Sequence, residues 1–170
     1  MGWRFDWIVP AGEQATMAAA ARRDSLDRLA RARLPAPGPL GQQLRLQPAA
    51  RLAQAAALSV ASGLPLSDYY ALQLQLRSRP GQVLPAGSQG WLALVELLPA
   101  GSEGSASPRA LVRSVAGPLP LTALGPGRPL NHLAALRWPE GALLERLQAR
   151  AWIEAADGRI LAVAADRCGP

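Results

Sequence analysis

Polar and apolar positions alternate over much of the chain beyond residue 40. Leu72, Leu74 and Leu76 interleave with Gln73, Gln75 and Arg77, the period of a strand that buries one face. Leu44-Arg45-Leu46-Gln47 repeats the pattern in shorter form. Trp91-Leu92-Ala93-Leu94-Val95-Glu96-Leu97 is apolar at nearly every position, as a central strand covered on both faces would be. Residues 110–115, 130–138 (broken by Pro139), 149–155 and 159–165 supply further strands. The last two flank Asp157-Gly158, a hairpin signal, because a two-residue turn there requires positive φ at both central residues. Residues 50–62 combine an Ala-rich, helix-like composition with the strand-like run Leu58-Ser59-Val60-Ala61-Ser62, and are read as strand.

The first forty residues follow a different pattern. Trp3, Phe5 and Trp7 alternate with Arg4 and Asp6, which marks residues 3–9 as a short strand or extended arm. From 13 to 33 the chain is Ala-rich and nearly free of β-branched residues. Met17, Leu26 and Leu29 with Ala18, Ala21 and Ala30 form one apolar face. Arg22, Arg23, Arg28, Arg31 and Arg33 gather in the second half, where the helix dipole favours cations. Pro35-Ala36-Pro37-Gly38-Pro39 ends that helix, since Pro lacks the backbone donor and restricts the residue before it. The resulting division is an arm and amphipathic helix over 1–34, a Pro/Gly linker over 35–41 and a β-rich domain over 42–170. The fold class is mainly β, an antiparallel sandwich or open barrel with one N-terminal amphipathic helix. The strand–helix alternation of a nucleotide-binding α/β fold is absent.

Composition narrows the chemistry. The 170 residues include one Cys, one His and no Lys. No disulfide framework or Cys/His metal cluster can be assembled within the chain, and most nucleophile–base pairs lack a member. No Gly-rich loop is followed by Lys-Ser/Thr, as a phosphate cradle requires. His132 reads as a strand histidine with a satisfied hydrogen bond, or as a lone general base. Glu140 and Glu145 lie five apart and face different ways on a short helix, which suits surface charge better than acid–base work. The chain is therefore expected to be no enzyme and to need no cofactor or metal. All 18 basic residues are Arg, giving a net charge of +6. Scattered Arg fits a compositional bias, whereas a cluster fits an anionic partner. An aromatic content of 5% argues against a base-stacking platform.

No run of about 20 apolar residues is present, so no membrane insertion is expected. Residues 1–7 lack a charged region leading into an apolar one. The expected location is cytoplasmic as the chain is written, or periplasmic if it starts inside a longer protein.

The stretch from Trp91 to Cys168 resembles the β-rich C-terminal half of a family of secreted, thioredoxin-like bacterial proteins of unassigned function. The resemblance is carried by Leu92-Ala93-Leu94-Val95-Glu96, by Leu111-Val112-Arg113 followed by Ala116-Gly117-Pro118-Leu119-Pro120, and by Ala151-Trp152-Ile153-Glu154 with Gly158-Arg159-Ile160-Leu161 closing near Cys168. Gly101-Ser102-Glu103-Gly104 stands where the family has Gly-Glu-Asn, and the family's His before the Val-Val-Arg run is missing. The thioredoxin-like half and any Cys-X-X-Cys are absent, so no redox role follows. The resemblance implies a β-rich accessory module, with Cys168 available for an intermolecular disulfide.

These readings converge on a non-catalytic protein-interaction or accessory module. Trp3, Phe5 and Trp7 are its expected docking residues, for another protein or for a second copy. The alternative is a nucleic-acid-binding protein using Arg22, Arg23 and Arg28. Arg contacts to phosphate release counterions, so such binding must weaken steeply with salt. A gel shift at two salt concentrations separates the two: the interaction-module reading expects no shift at low salt. A tight, salt-sensitive shift lost when the three Arg become Gln favours the alternative.

Overall fold

A computed structural model describes residues 3–7, 26–27, 29–31, 33, 42–46, 56–78, 83–102, 106–121, 129–137 and 141–166. They form nine strands: β1 (Trp3–Trp7), β2 (Gln42–Leu46), β3 (Ala56–Leu66), β4 (Tyr69–Ser78), β5 (Gln89–Leu98), β6 (Arg109–Pro120), β7 (Leu130–Arg137), β8 (Leu147–Glu154) and β9 (Ile160–Ala165). A six-stranded sheet runs β2-β1-β6-β5-β8-β9, and a three-stranded sheet runs β3-β4-β7. Every neighbouring pair is antiparallel except β1 and β6, which meet in parallel at Asp6↔Leu111. The wholly antiparallel expectation is corrected there. Of the expected 13–33 helix, residues 26–27 and 29–31 are helical and Arg33 is in a turn with φ of 56°; the rest of it, and the 35–41 linker, lie outside the described residues. Strand β1 belongs to the large sheet although it precedes that linker.

The two sheets face each other as a sandwich with no barrel closure. Period-two strands supply the core between them. Leu72, Leu74 and Leu76 of β4 meet Leu92 and Leu94 of β5 and Leu147, Ala149, Ala151 and Ile153 of β8. The opposite face of the large sheet holds a second core of Phe5, Trp91, Ala93, Val95, Val112, Val115, Trp152 and Ile160. Strand β5 contributes to both, which is why its sequence is apolar at nearly every position.

Irregularities keep the alternation matched to these two cores. Leu94 pairs with Ser114 and Val95 with Val112, so Arg113 is an extra residue in β6. Val112 and Val115, three apart, thereby face the same side, which a regular strand forbids. In β9, Ile153 pairs with Ala162 and Glu154 with Ile160. Leu161 and Ala162 accordingly both enter the inter-sheet core.

Turn chemistry departs from the sequence expectation in an instructive way. The β8–β9 hairpin does turn at Asp157-Gly158, but only Gly158 has positive φ, at 86°. Gly158 N–H donates to Ala155 C=O and Ala155 N–H to Arg159 C=O, both at 2.9 Å. This is a type I turn closed by a glycine bulge, not the two-residue turn expected. Arg159 donates to Asp157 from its backbone at 3.1 Å and from Nε at 2.6 Å. That side-chain bond holds the Asp157 carboxyl below its ordinary value. The true two-residue turn joins β3 to β4 at Ser67 and Asp68, with φ of 46° and 65° between the paired residues Leu66 and Tyr69.

Trp91 imposes a further backbone requirement. It sits opposite the second irregularity of β6, where Gly90 pairs with Leu119 and Leu92 with Ala116. A Cβ on Gly117 would lie 2.5 Å from Trp91 Cε3, and the residue has φ of +149°. Gly117→Ala must therefore displace the buried indole. The expected cost is about 1–3 kcal/mol, which lowers the melting temperature by about 2–4 °C per kcal/mol in a chain of this size. Thermal unfolding of the variant beside the parent checks it; an unchanged midpoint contradicts this account of Trp91 packing.

Candidate functional site: an arginine-capped aromatic face and an exposed hairpin end

The outer face of the large sheet is an aromatic row. Trp3 meets Phe5 edge-on at 5.9 Å, Phe5 meets Trp152 at 5.9 Å, and Trp152 stacks on Trp91 at 6.0 Å with planes 7° apart. Such offsets suit the ring quadrupoles. In the sheet order, β1 and β8 are separated by β6 and β5, a span of ~14 Å at ordinary strand spacing. Ring contact between them means that the Phe5 and Trp152 side chains reach toward each other across the face of the sheet. A helical residue also covers this face: the Arg31 guanidinium lies 5.8 Å over Trp91 while donating to Gln89 Oε1 at 2.7 Å. At the other end of the row Arg150 lies 4.5 Å over Trp3 and 5.8 Å over Phe5.

This arrangement revises the docking expectation for the arm. Phe5 is 0% exposed, so its ring is core and unavailable to a partner. Trp3 is half-buried against the same cluster. Trp7 is in β1, and its side chain lies outside the described residues, as do Arg22, Arg23, Arg28, Cys168 and Glu140. Glu145 is an exposed residue of a short 3₁₀ turn, Leu144–Arg146. Among the described residues no three His, Cys, Asp or Glu gather as metal ligands would, and no helix is long and apolar enough to cross a membrane.

Polar groups cluster where the two sheets meet. His132 Nε2 lies 3.0 Å from Pro120 C=O, joining β7 to the end of β6. On the other side Asp166, buried just beyond β9, accepts from Ser62 of β3, through the backbone N–H at 2.8 Å and through the hydroxyl. Glu96 is 2% exposed. Arg113 donates to it from Nε at 2.6 Å, with Nη2 at 2.5 Å from the same oxygen, and Leu143 N–H donates to the other oxygen at 3.4 Å. The β6 bulge turns Arg113 toward Glu96, a common use of the extra residue. Both partners were visible in the sequence only as the ends of Leu92–Glu96 and Leu111–Arg113. Their pairing across the sheet was not.

Among the exposed apolar groups of the described residues, which also include Val83 and Leu133, three lie together at the β3–β4 hairpin end. Leu64 is 90% exposed and Leu66 77%, with Tyr69 of the opposing strand beside them. Sequence reasoning passed over this segment because Leu64-Pro65-Leu66 shows no period. Its signal was the apolar pair flanking Ser67-Asp68. Strand β3 is an edge, yet its pairing shifts between Ser62 and Pro65, and Pro65 lacks a donor. Those features discourage another strand from adding there.

No family model matches the chain, and no curated protein does. Among solved structures, a domain of the outer membrane lipoprotein Omp28 from Porphyromonas gingivalis aligns at 11% identity and a TM-score of 0.49, covering 68% of this chain and 89% of that one. A penta-heme cytochrome c552 from Thermochromatium tepidum aligns at 12% identity and 0.35, covering 69% of this chain and 40% of that one. Neither likeness is close enough to define a role for this protein.

The Glu96–Arg113 pair yields an asymmetric prediction. Arg113 retains 22% side-chain exposure and Glu96 only 2%. Removing Arg113 strands a carboxylate away from water, whereas removing Glu96 leaves a cation that reaches solvent. Arg113→Met is expected to cost about 3–5 kcal/mol and Glu96→Gln distinctly less. Denaturant unfolding of both variants measures the difference, and equal or reversed losses contradict it.

Proposed function

We propose that the chain is a non-catalytic protein-interaction module that docks through the end of the β3–β4 hairpin. The observation that carries this reading is the near-complete exposure of Leu64 and Leu66 on a two-residue turn that holds both central residues at positive φ. Burying two leucines on a partner supplies about 1.5–3 kcal/mol each, with Tyr69 adding an amphipathic ring suited to interfaces. The paired strands on either side keep these groups presented, so little ordering cost accompanies association. The partner is a protein, either a second copy or a different chain.

Two further features support the accessory role. The segments that carry the resemblance to the β-rich half of secreted thioredoxin-like proteins come together here, with Glu96 and Arg113 paired. That fits the β-rich accessory module that the resemblance implies. The described part of the Arg-rich helix, meanwhile, engages its own chain through Arg31 on Trp91 and Gln89. With Phe5, Trp91 and Trp152 buried and Arg150 over Trp3, three of the row's four rings are closed to a nucleic-acid base, which favours protein as the partner.

Sedimentation velocity over a concentration series tests the reading. The parent is expected to self-associate, or to co-purify with a partner, through this end. Leu64→Asp with Leu66→Asp should abolish that association with the melting temperature unchanged, because neither side chain supports the core. Association that survives the double substitution overturns the proposal. So does a parent that stays monomeric and co-purifies with nothing sensitive to it.

A further inference from the structure

Arg150 lies on the face of β8 that carries Trp152. Its cross-strand neighbours are Ala93 on β5 and Ala165 on β9, so neither supplies a counterion. Gln148, two residues along the same face, is neutral and donates its amide to Asp166 C=O at 3.0 Å. Arg150 Nε is buried with no hydrogen-bond partner, and among the described residues no carboxylate stands within ion-pair distance of this guanidinium. The cation rests on π faces instead, 4.5 Å over Trp3 and 5.8 Å over Phe5.

A half-buried cation with no anion among the described residues is an unusual arrangement for a fold to keep. Cation–π contact offsets less than a charge-assisted hydrogen bond contributes. Burial pulls the Arg150 pKa below its ordinary value, yet a guanidinium stays charged at any accessible pH. Nε is sealed within the protein, whereas Nη1 and Nη2 are not among the buried unpartnered groups, so the Nη1–Nη2 end is the part of the guanidinium left for in-plane partners.

The geometry points to a carboxylate-binding site at Arg150, with Trp3 as the wall that orients the guanidinium. A carboxylate is the matching class because it is planar and takes a fork of two N–H donors in one plane. It also carries a single charge, equal to the one cation present; a phosphate dianion would enter with half its charge unmatched. The site lies on the outer face of the large sheet, away from the β3–β4 hairpin end, and does not depend on that end being a docking surface.

The test uses the full-length chain labelled with ¹⁵N. Sodium acetate is titrated against sodium chloride at constant ionic strength while the Arg150 Nε–Hε and Trp3 indole signals are followed. A saturable shift of both with acetate, not reproduced by chloride, is expected. Arg150→Lys keeps the charge but lacks the fork, and should lose the saturable Trp3 response. Tri-alanine with a free carboxyl terminus, compared with its amidated form, separates the sources. Tighter binding of the free peptide identifies a chain terminus, and acetate binding alone identifies a small carboxylate; either upholds the site. Equal responses to acetate and chloride, a shift that never saturates, or saturation that persists in Arg150→Lys would overturn it. If Arg150→Lys does not fold, the acetate–chloride comparison on the parent decides alone.

Discussion

Strand β5 is buried on both faces, and much of the structure follows from the need to cover it. Leu92 and Leu94 are closed off by β4 of the small sheet. Trp91, Ala93 and Val95 need a second cover, and a nine-strand sandwich of this arrangement has no third sheet to supply it. The chain meets the need with its N-terminal part. Strand β1 brings Trp3 and Phe5 to this face, and the helical Arg31 lies over Trp91. Leaving rings of this size in water would forgo about 25 cal/mol for each Å² of apolar surface, so the amino-terminal strand is part of the fold's stability.

Filling that second core with Trp and Phe has consequences in the backbone. Trp91 demands the missing Cβ of Gly117, and β6 gives up regular pairing opposite it. A second irregularity in β6 lets Val112 and Val115 share the aromatic side and sends Arg113 to Glu96. The bulges of β6 and β9 are thus not defects in alternation. They restore the match between a period of two and two unequal cores.

Polar groups take up the places where the sandwich cannot be closed by backbone pairing. Ser62–Asp166 and His132–Pro120 tie the small sheet to the large one at opposite sides, and Glu96–Arg113 spans neighbouring strands of the large sheet. A buried carboxylate is tolerated only where donors converge on it, and both Asp166 and Glu96 have such donors. The exposed residues show the complementary logic. Edge strand β3 is interrupted by its pairing shift and by Pro65, while its end presents leucines. Uncontrolled strand addition is thereby discouraged at the place where side-chain contact is open.

The sequence alone determined the strands of the β-rich part and the two-faced burial of β5. Period-two alternation is a local record of which side of a strand meets water, so Leu72, Leu74 and Leu76 announced their face without reference to any partner. It also located the β8–β9 turn, because Asp-Gly there admits few backbone conformations. What it left undecided depends on residues distant in the chain. The turn became a type I turn with a glycine bulge because the register of β9 against β8 includes an extra residue. Ser67 and Asp68 took positive φ because two long strands met across them, a demand that neither residue advertises. Trp3 and Phe5 looked like an arm for a partner, since alternation says that one face is buried but not against what; only the tertiary structure showed that Trp91 and Trp152 were waiting for them. Likewise Glu96 and Arg113, 17 residues apart, become an ion pair only through a bulge whose position is set by packing. Local pattern reports solvent exposure, and long-range packing chooses the neighbours.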